Sequence, residues 1–453
     1  MRVASRPAPT GPEGRRGRGW GQPGRANGRG RFSARVTLLP LLLSTLTAQD
    51  KLTLREAEDI ALKNHPRVSV SLLNQLAANQ VVLEVRSARL PTFFGSVTGA
   101  GALSNSRLAA GALNNPIIYN RLAGGVTGSQ LITDFGRTSN LTESASLRAR
   151  GQSETVKATR ADVVVQVDRA YFAALRAQSV SRVAQQTVSA RQTSVDQVSA
   201  LAQSKLKSEL DLSFANVNLS EAKLLLISAQ NEIRATFADL SMALGYPEPH
   251  TFVLTDEPLP PALDPDPSAL GASALTARPD LAQLRLEAEA AKKFAEAERD
   301  LSRPTLAALG SVGYIPTHAS QLPDRYGAAG VNLNIPIFNG RLFAARRTEA
   351  DLRAQAVQQQ IKDLQNRIRR DVEVAWLNAT TAHQRMAVTA ELLEQATKSL
   401  DLAQARYDLG LSSIVELSQA QLNKTSAEIA GASARYEYQI QRSVLNYQIG
   451  VVR

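Results

Sequence analysis

Two long stretches of this chain carry one pattern, and that repetition narrows the possible folds more than any single motif. Residues 152–244 and 341–409 contain neither Gly nor Pro. In the first, Val163, Val167, Ala170, Ala174, Ala177, Ser181, Ala184, Val188, Arg191, Val195, Val198 and Ala202 alternate steps of four and three, which is a heptad seam. In the second, Ile368, Val372, Ala375, Ala379, Ala382, Met386, Thr389, Leu393, Ala396, Leu400, Ala403 and Tyr407 repeat those steps, each displaced by 205.

Other landmarks repeat with the seam. Leu244-Gly245 returns as Ile449-Gly450 at the same displacement, and Gly136-Arg137 as Gly340-Arg341 at 204. Asn64-His65-Pro66-Arg67 and Leu90-Pro91-Thr92 return as Ala277-Arg278-Pro279-Asp280 and Arg303-Pro304-Thr305 at 213. The changing offset puts a shorter loop in the second copy. The organisation expected is a tail with a signal segment over 1–48, a first repeat over 49–245, a Pro-rich linker over 246–265 and a second repeat over 266–453.

Helix ends are marked in both copies. Thr53-Leu54-Arg55-Glu56 and Ser413-Ile414-Val415-Glu416 have capping-box spacing, Ser208-Glu209-Leu210-Asp211 is the counterpart with Asp, and Asp266-Pro267 offers an N-cap with an N1 proline. Gly410 closes one helix before the next opens. Each copy is therefore predicted to hold a helix of about 65–70 residues, about 100 Å long, a tight turn, and a helix of about 37. The seam of Ala, Val and Ser lets helices approach closely but buries little area, so an antiparallel pair calls for lateral partners.

Ahead of each long helix the chemistry changes. In Tyr326 to Ile337, Gly327, Ala329, Val331, Leu333, Ile335 and Ile337 face one way and Ala328, Gly330, Asn332 and Asn334 the other, the pattern of a transmembrane β-barrel strand. Further strands are expected at about 92–103, 122–132 and 305–315, with Ser104 to Arg121 and Pro316 to Arg325 as outer loops. Four strands cannot close a barrel, and open edges in lipid are costly, so closure calls for other subunits. Two hairpins of a soluble sheet are the alternative.

Charge and composition bound the function. Nine Arg against one acid in residues 1–35 supply +8 of the net +11, leaving the other 418 residues at +3. An RNA-binding arm is one reading of that tail; a disordered tail or an overextended start is the other, and no nucleic-acid partner is expected. Arg31 and Arg35 precede an apolar run, Val36 to Leu46, that ends at Thr47-Ala48-Gln49 like a secretory signal too short to span a bilayer. With no Cys and four scattered His, a Cys nucleophile, a thiolate metal site and a disulfide are excluded, and neither a catalytic site, a metal nor a cofactor is expected.

Leu52-Thr53-Leu54-Arg55-Glu56-Ala57, Asp134-Phe135-Gly136-Arg137, Ile335-Pro336-Ile337-Phe338-Asn339-Gly340-Arg341 and Arg406-Tyr407-Asp408-Leu409-Gly410-Leu411, in this order and duplicated, make residues 50–450 resemble the TolC family of outer-membrane efflux proteins. The resemblance implies a mainly α fold with a transmembrane β part. Three chains would share a twelve-stranded barrel in the outer membrane and a periplasmic α-barrel of long antiparallel coiled-coil helices. The implied function is a passive exit duct for a tripartite efflux or type I secretion system, working with outer-membrane lipid, a periplasmic adaptor (membrane fusion) protein and an inner-membrane RND, ABC or MFS pump. A secreted or periplasmic coiled-coil scaffold is the alternative; an enzyme would need a convergent polar site.

The resemblance also assigns roles at the turns. Leu206, Leu409, Gly410 and Leu411 would touch the adaptor, although Gly410 also reads as a plain C-cap. Tyr407 would hydrogen-bond Asp211 to hold the tube shut, and Glu416 would belong to an acidic ring at the entrance. Seam packing is the other reading of Tyr407, and helix capping the other reading of Asp211 and Glu416. Copy one departs from the pattern, with Ser204-Lys205-Leu206 where copy two has Leu409-Gly410-Leu411, and no C-terminal extension is expected after Arg453.

Overall fold

The computed structural model describes residues 51–107, 117–263 and 266–451. The Arg-rich tail, the expected signal segment and part of the first outer loop lie outside the described residues.

Each copy opens with a short helix, an X-Pro hinge and a second helix. In copy one β1 (Lys51–Leu52) leads into α1 (Leu54–Asn64) and α2 (Pro66–Ser87). The Thr53 box is complete: the Thr53 hydroxyl accepts from Glu56 N at 3.3 Å and the Glu56 carboxylate from Thr53 N at 2.9 Å. His65 is extended because the following proline disfavours helix there. The strands β2 (Thr92–Ala100) and β3 (Arg121–Thr133) follow. Then come α3 (Arg137–Gln203) and α4 (Glu209–Ala243).

The linker is not featureless. Its β4 (Val253–Leu254) pairs in parallel with β1. The pair is pinned by the fully buried Tyr171 of α3, whose hydroxyl lies 2.8 Å from Leu52 O and 2.7 Å from Thr255 O and accepts from Thr255 N at 3.1 Å.

Copy two repeats the order with α5 (Ser268–Ala277), α6 (Pro279–Arg299), β5 (Thr305–His318), β6 (Arg325–Asn334), α7 (Leu342–Asp408) and α8 (Ile414–Gln448). α5 starts one residue later than Asp266-Pro267 suggested, yet Asp266 still caps it, accepting from Ser268 N at 2.9 Å. The long helices have 67 residues each and their partners 35 each, so the coiled-coil pairs match in length to the residue. Every seam position is buried or half-buried in both copies.

The sequence landmarks meet in space. Gly245 and Gly450 end α4 and α8 in left-handed conformations, φ 83° and 78°, which let the N–H of the next residue turn back onto the helix: Tyr246 N donates to Ser241 O and Val451 N to Asn446 O. Gly245 lies against Asn64-His65 and Gly450 against Ala277-Arg278, so each helix end seats on the hinge of its own copy. α2 and α6, unmarked in the heptad analysis, lie along the sheet-side half of α3, where Ser144 donates to Ala290 O at 2.8 Å and Gly151 approaches Gln283.

The strands form one antiparallel sheet in the order β2-β3-β5-β6, the two hairpins joined through β3 and β5. Register aligns the faces. Val97, Gly124, Val126, Val312, Val331 and Leu333 share one side, and Thr98, Thr127, Ser129, Ser311, Asn332 and Asn334 the other. Rings cover the glycines on both: Phe93 over Gly128, and Tyr326 over Gly125 and Gly313. β6 ends at Asn334 rather than continuing to Ile337, since Pro336 has no N–H to give the ladder. β2 and β6 are edges with no partner strand among the described residues, and the apolar face is exposed. None of the described helices is long and apolar enough to cross a membrane.

Candidate functional site

The two coiled-coil pairs end together at the turns between α3 and α4 and between α7 and α8. Both turns have one backbone form. Leu411 N donates to Arg406 O at 2.8 Å around Gly410, φ 73°, and Leu206 N donates to Leu201 O at 2.8 Å around Lys205, φ 60°. Copy one thus forces a lysine into the left-handed region that copy two gives to glycine, a cost of about 1 kcal/mol. Leu206, Leu409, Gly410 and Leu411 all lie exposed on these turns.

Tyr407 is 5 % exposed, packed with Ala403, Ile414, Leu417 and Ala420. Its hydroxyl has no hydrogen-bond partner among the described residues. Instead the Lys207 ammonium from the other pair stands 3.8 Å from the ring centroid, a cation–π contact. Desolvation, then the nearby charge of Asp211, push the phenol's pKa up. The Asp211 carboxylate is spent locally, accepting from Ser208 N at 3.1 Å and from its hydroxyl at 3.0 Å. The structure therefore brings Asp211 into electrostatic reach of Tyr407 without the hydrogen bond between them.

The Ser413 box needs a correction. The serine accepts from Glu416 N at 3.4 Å, but the Glu416 carboxylate does not reach back; it pairs with Arg406, Oε1 to Nε 3.4 Å. The guanidinium, absent from the Ser208 turn, outcompetes a neutral backbone N–H for the carboxylate.

Two residues escaped the sequence reading as functional groups. Lys207 faces Tyr407 although its counterpart at 412 is Ser; that mismatch between copies was its only signal. Arg191 was legible as a seam residue, and the lone charge in that list was the clue to more. It is 7 % exposed, its Nη1 lacks a partner among the described residues, and desolvation lowers its pKa. Arg191 and Tyr407 both line a groove of about 900 Å³ between the pairs, which are tied nearby by Asn218 Nδ2 donating to the Ser418 hydroxyl at 2.7 Å. The tip offers opposed charges and one aromatic face, which suit a contact that holds two rods together and can be released.

The family described as Outer membrane efflux protein matches residues 58–246 and 270–451. Outer membrane protein TolC of Escherichia coli is 24% identical over 445 residues, covering 92% of this chain and 86% of that protein. Outer membrane protein OprJ of Pseudomonas aeruginosa is 24% identical over 399 residues, covering 85% and 81%. Among solved structures, outer membrane protein VceC of Vibrio cholerae superposes with a TM-score of 0.72 at 18% identity, over 88% of this chain and 96% of that one.

Proposed function

The chain belongs to the outer membrane efflux protein family, a family of outer-membrane channels, and from that premise we propose that three copies close one exit duct with a releasable gate at the helical tip. The observation that carries this is the sheet: two unpaired edges and an exposed apolar face on four strands. Three such sheets joined edge to edge make twelve strands without an edge, the arrangement lipid demands. Below it the paired helices, each long member about 100 Å, continue the passage into the periplasm.

At the far end the exposed Leu206, Leu409, Gly410 and Leu411 offer a periplasmic adaptor an apolar rim, and the adaptor links the duct to an inner-membrane pump. Closure rests on the contact between the pairs: the Lys207 ammonium on the Tyr407 ring, with the Asp211 charge close by. Glu416 gives the entrance a carboxylate per subunit, partly neutralised by Arg406.

Single-channel recording tests this. Lys207→Met with Asp211→Ala is expected to raise conductance in planar bilayers, whereas Tyr407→Phe, which keeps the ring and removes a hydroxyl that bonds nothing, is expected to leave it unchanged. Glu416→Gln should weaken cation selectivity. Native mass measurement should give a trimer. Wild-type conductance in folded trimers of the Lys207/Asp211 variant would remove the gate, and a monomer would remove the duct.

A further inference from the structure

The strands run antiparallel, so their four junctions with the helices gather at one end of the sheet. Each junction carries an arginine: Arg89 ahead of β2, Arg137 after β3, Arg303 ahead of β5 and Arg341 after β6. Three acids at this level are turned inward. Asp134 is buried and accepts from Thr138 N at 2.7 Å and Gly136 N at 3.3 Å. Glu298 is buried between Arg137 at 3.9 Å and Arg346 at 3.5 Å. Asp300 is buried, accepting from Asn140 Nδ2 at 3.0 Å and pairing with Arg303 at 3.2 Å.

Arg89 and Arg341 are exposed, and among the described residues no acid pairs with either. Beside them large apolar side chains face solvent. Ile337 is 94 % and Phe338 87 % exposed, and Leu90, Phe93 and Phe135 are exposed too. Phe93 lies on the apolar face of the sheet, and the others flank its helix-side end. At the opposite end Arg121 and Arg325 are exposed as well, and His318 stands against Asp324 at 2.8 Å. The helix-side rim of the sheet is thus outwardly basic and greasy.

We propose that this collar binds the headgroups of anionic phospholipids in the periplasm-facing leaflet. Arg89 and Arg341 meet the phosphates while Phe135, Ile337 and Phe338 sit among the upper acyl chains. The chemistry fits on three counts. A guanidinium can engage a phosphate through two parallel N–H donors, which an ammonium cannot do. Aromatic rings are favoured at the headgroup level. Apolar neighbours and the bilayer keep water and salt from screening the contact. The proposal rests on the barrel reading, which puts this rim at the membrane surface.

The test uses the full-length protein in nanodiscs of phosphatidylcholine, with and without phosphatidylglycerol, and reads three things: conductance, phospholipid retained after delipidation, and the heat-dissociation midpoint of the trimer. Wild type is expected to retain phosphatidylglycerol selectively and to dissociate at a higher temperature in its presence. Arg89→Gln with Arg341→Gln should lose both effects, retention falling roughly fivefold per arginine, with conductance kept. Arg367→Gln, on a helix far from the collar, should behave as wild type. A conducting wild-type trimer without phosphatidylglycerol preference, or a double variant that keeps it, overturns the collar alone. A protein that neither inserts nor conducts overturns the barrel reading along with it.

Discussion

The long helices of the two copies match in length to the residue although their side chains differ, and two of the differences fall where the pairs meet each other. Within each pair the geometry is fixed by small seam residues, by the turn and by the glycine that seats the returning helix on its hinge. Between the pairs copy one supplies Arg191 and Lys207, and copy two supplies Ala396 and Tyr407. Duplication with strict lengths keeps the pairs parallel and level; divergence at the tip makes one a donor of charge and the other an acceptor.

If the copies are equivalent in construction, Gly245→Ala and Gly450→Ala should cost alike. Both glycines have positive φ, and an added methyl would come within 2.9 Å of Asn64 in one copy and 3.0 Å of Ala277 in the other, backbone that cannot turn aside. Strain plus overpacking predicts a loss of roughly 2–5 kcal/mol for each, read as the urea midpoint by circular dichroism. A large cost in one copy and none in the other would break the equivalence.

Arg191 sharpens the contrast between the seams. A guanidinium with a nitrogen unpartnered among the described residues, buried where copy two has Ala396 and compensated within the chain by the charge of Glu221, is held at a net desolvation cost. Arg191→Met, apolar and of similar length, should therefore stabilise the protein by about 1–3 kcal/mol in the same assay. A loss instead would mean that the assembled duct or a bound partner supplies the missing acceptor.

The sequence carried the architecture because architecture here is periodic: the seam, the X-Pro hinges and the terminal glycines each impose a local constraint that repeats at fixed displacement. The strand faces were legible from alternation in 326–334, and only register showed that the faces of all four strands agree. The tip was legible in part. Counting found Tyr407, Asp211 and Glu416, but a spacing does not say which acceptor a side chain chooses. Ser208 claims Asp211 and Arg406 claims Glu416, and Lys207 reaches the ring across a distance in sequence that no local pattern spans.

A further difference between the copies sits at the hinges, where His65 stands opposite Arg278. His65 Nδ1 accepts from Arg67 N at 3.2 Å and so caps α2; an imidazolium, with a proton on both nitrogens, cannot. Burial, with the Arg67 charge added, holds this imidazole below its ordinary pKa of 6.5. Arg278 instead pairs with Asp280 at 2.7 Å and donates to the Gln448 side chain at 2.6 Å, contacts that need its charge at every pH of interest. Because the folded chain holds fewer protons on the His65 ring than the unfolded chain, stability rises with pH across the transition. The contribution is full above about pH 6.5 and is lost as pH falls through the lower folded value. A cap of this kind is worth roughly 0.5–1 kcal/mol. Other groups titrate in the same range, so the comparison is with His65→Asn, which caps without titrating. Between pH 7.5 and 5 the wild type should lose roughly that much more than the variant in its urea midpoint. Parallel pH profiles for the two proteins would show that the copy-one hinge is no more sensitive to acid than the arginine hinge of copy two.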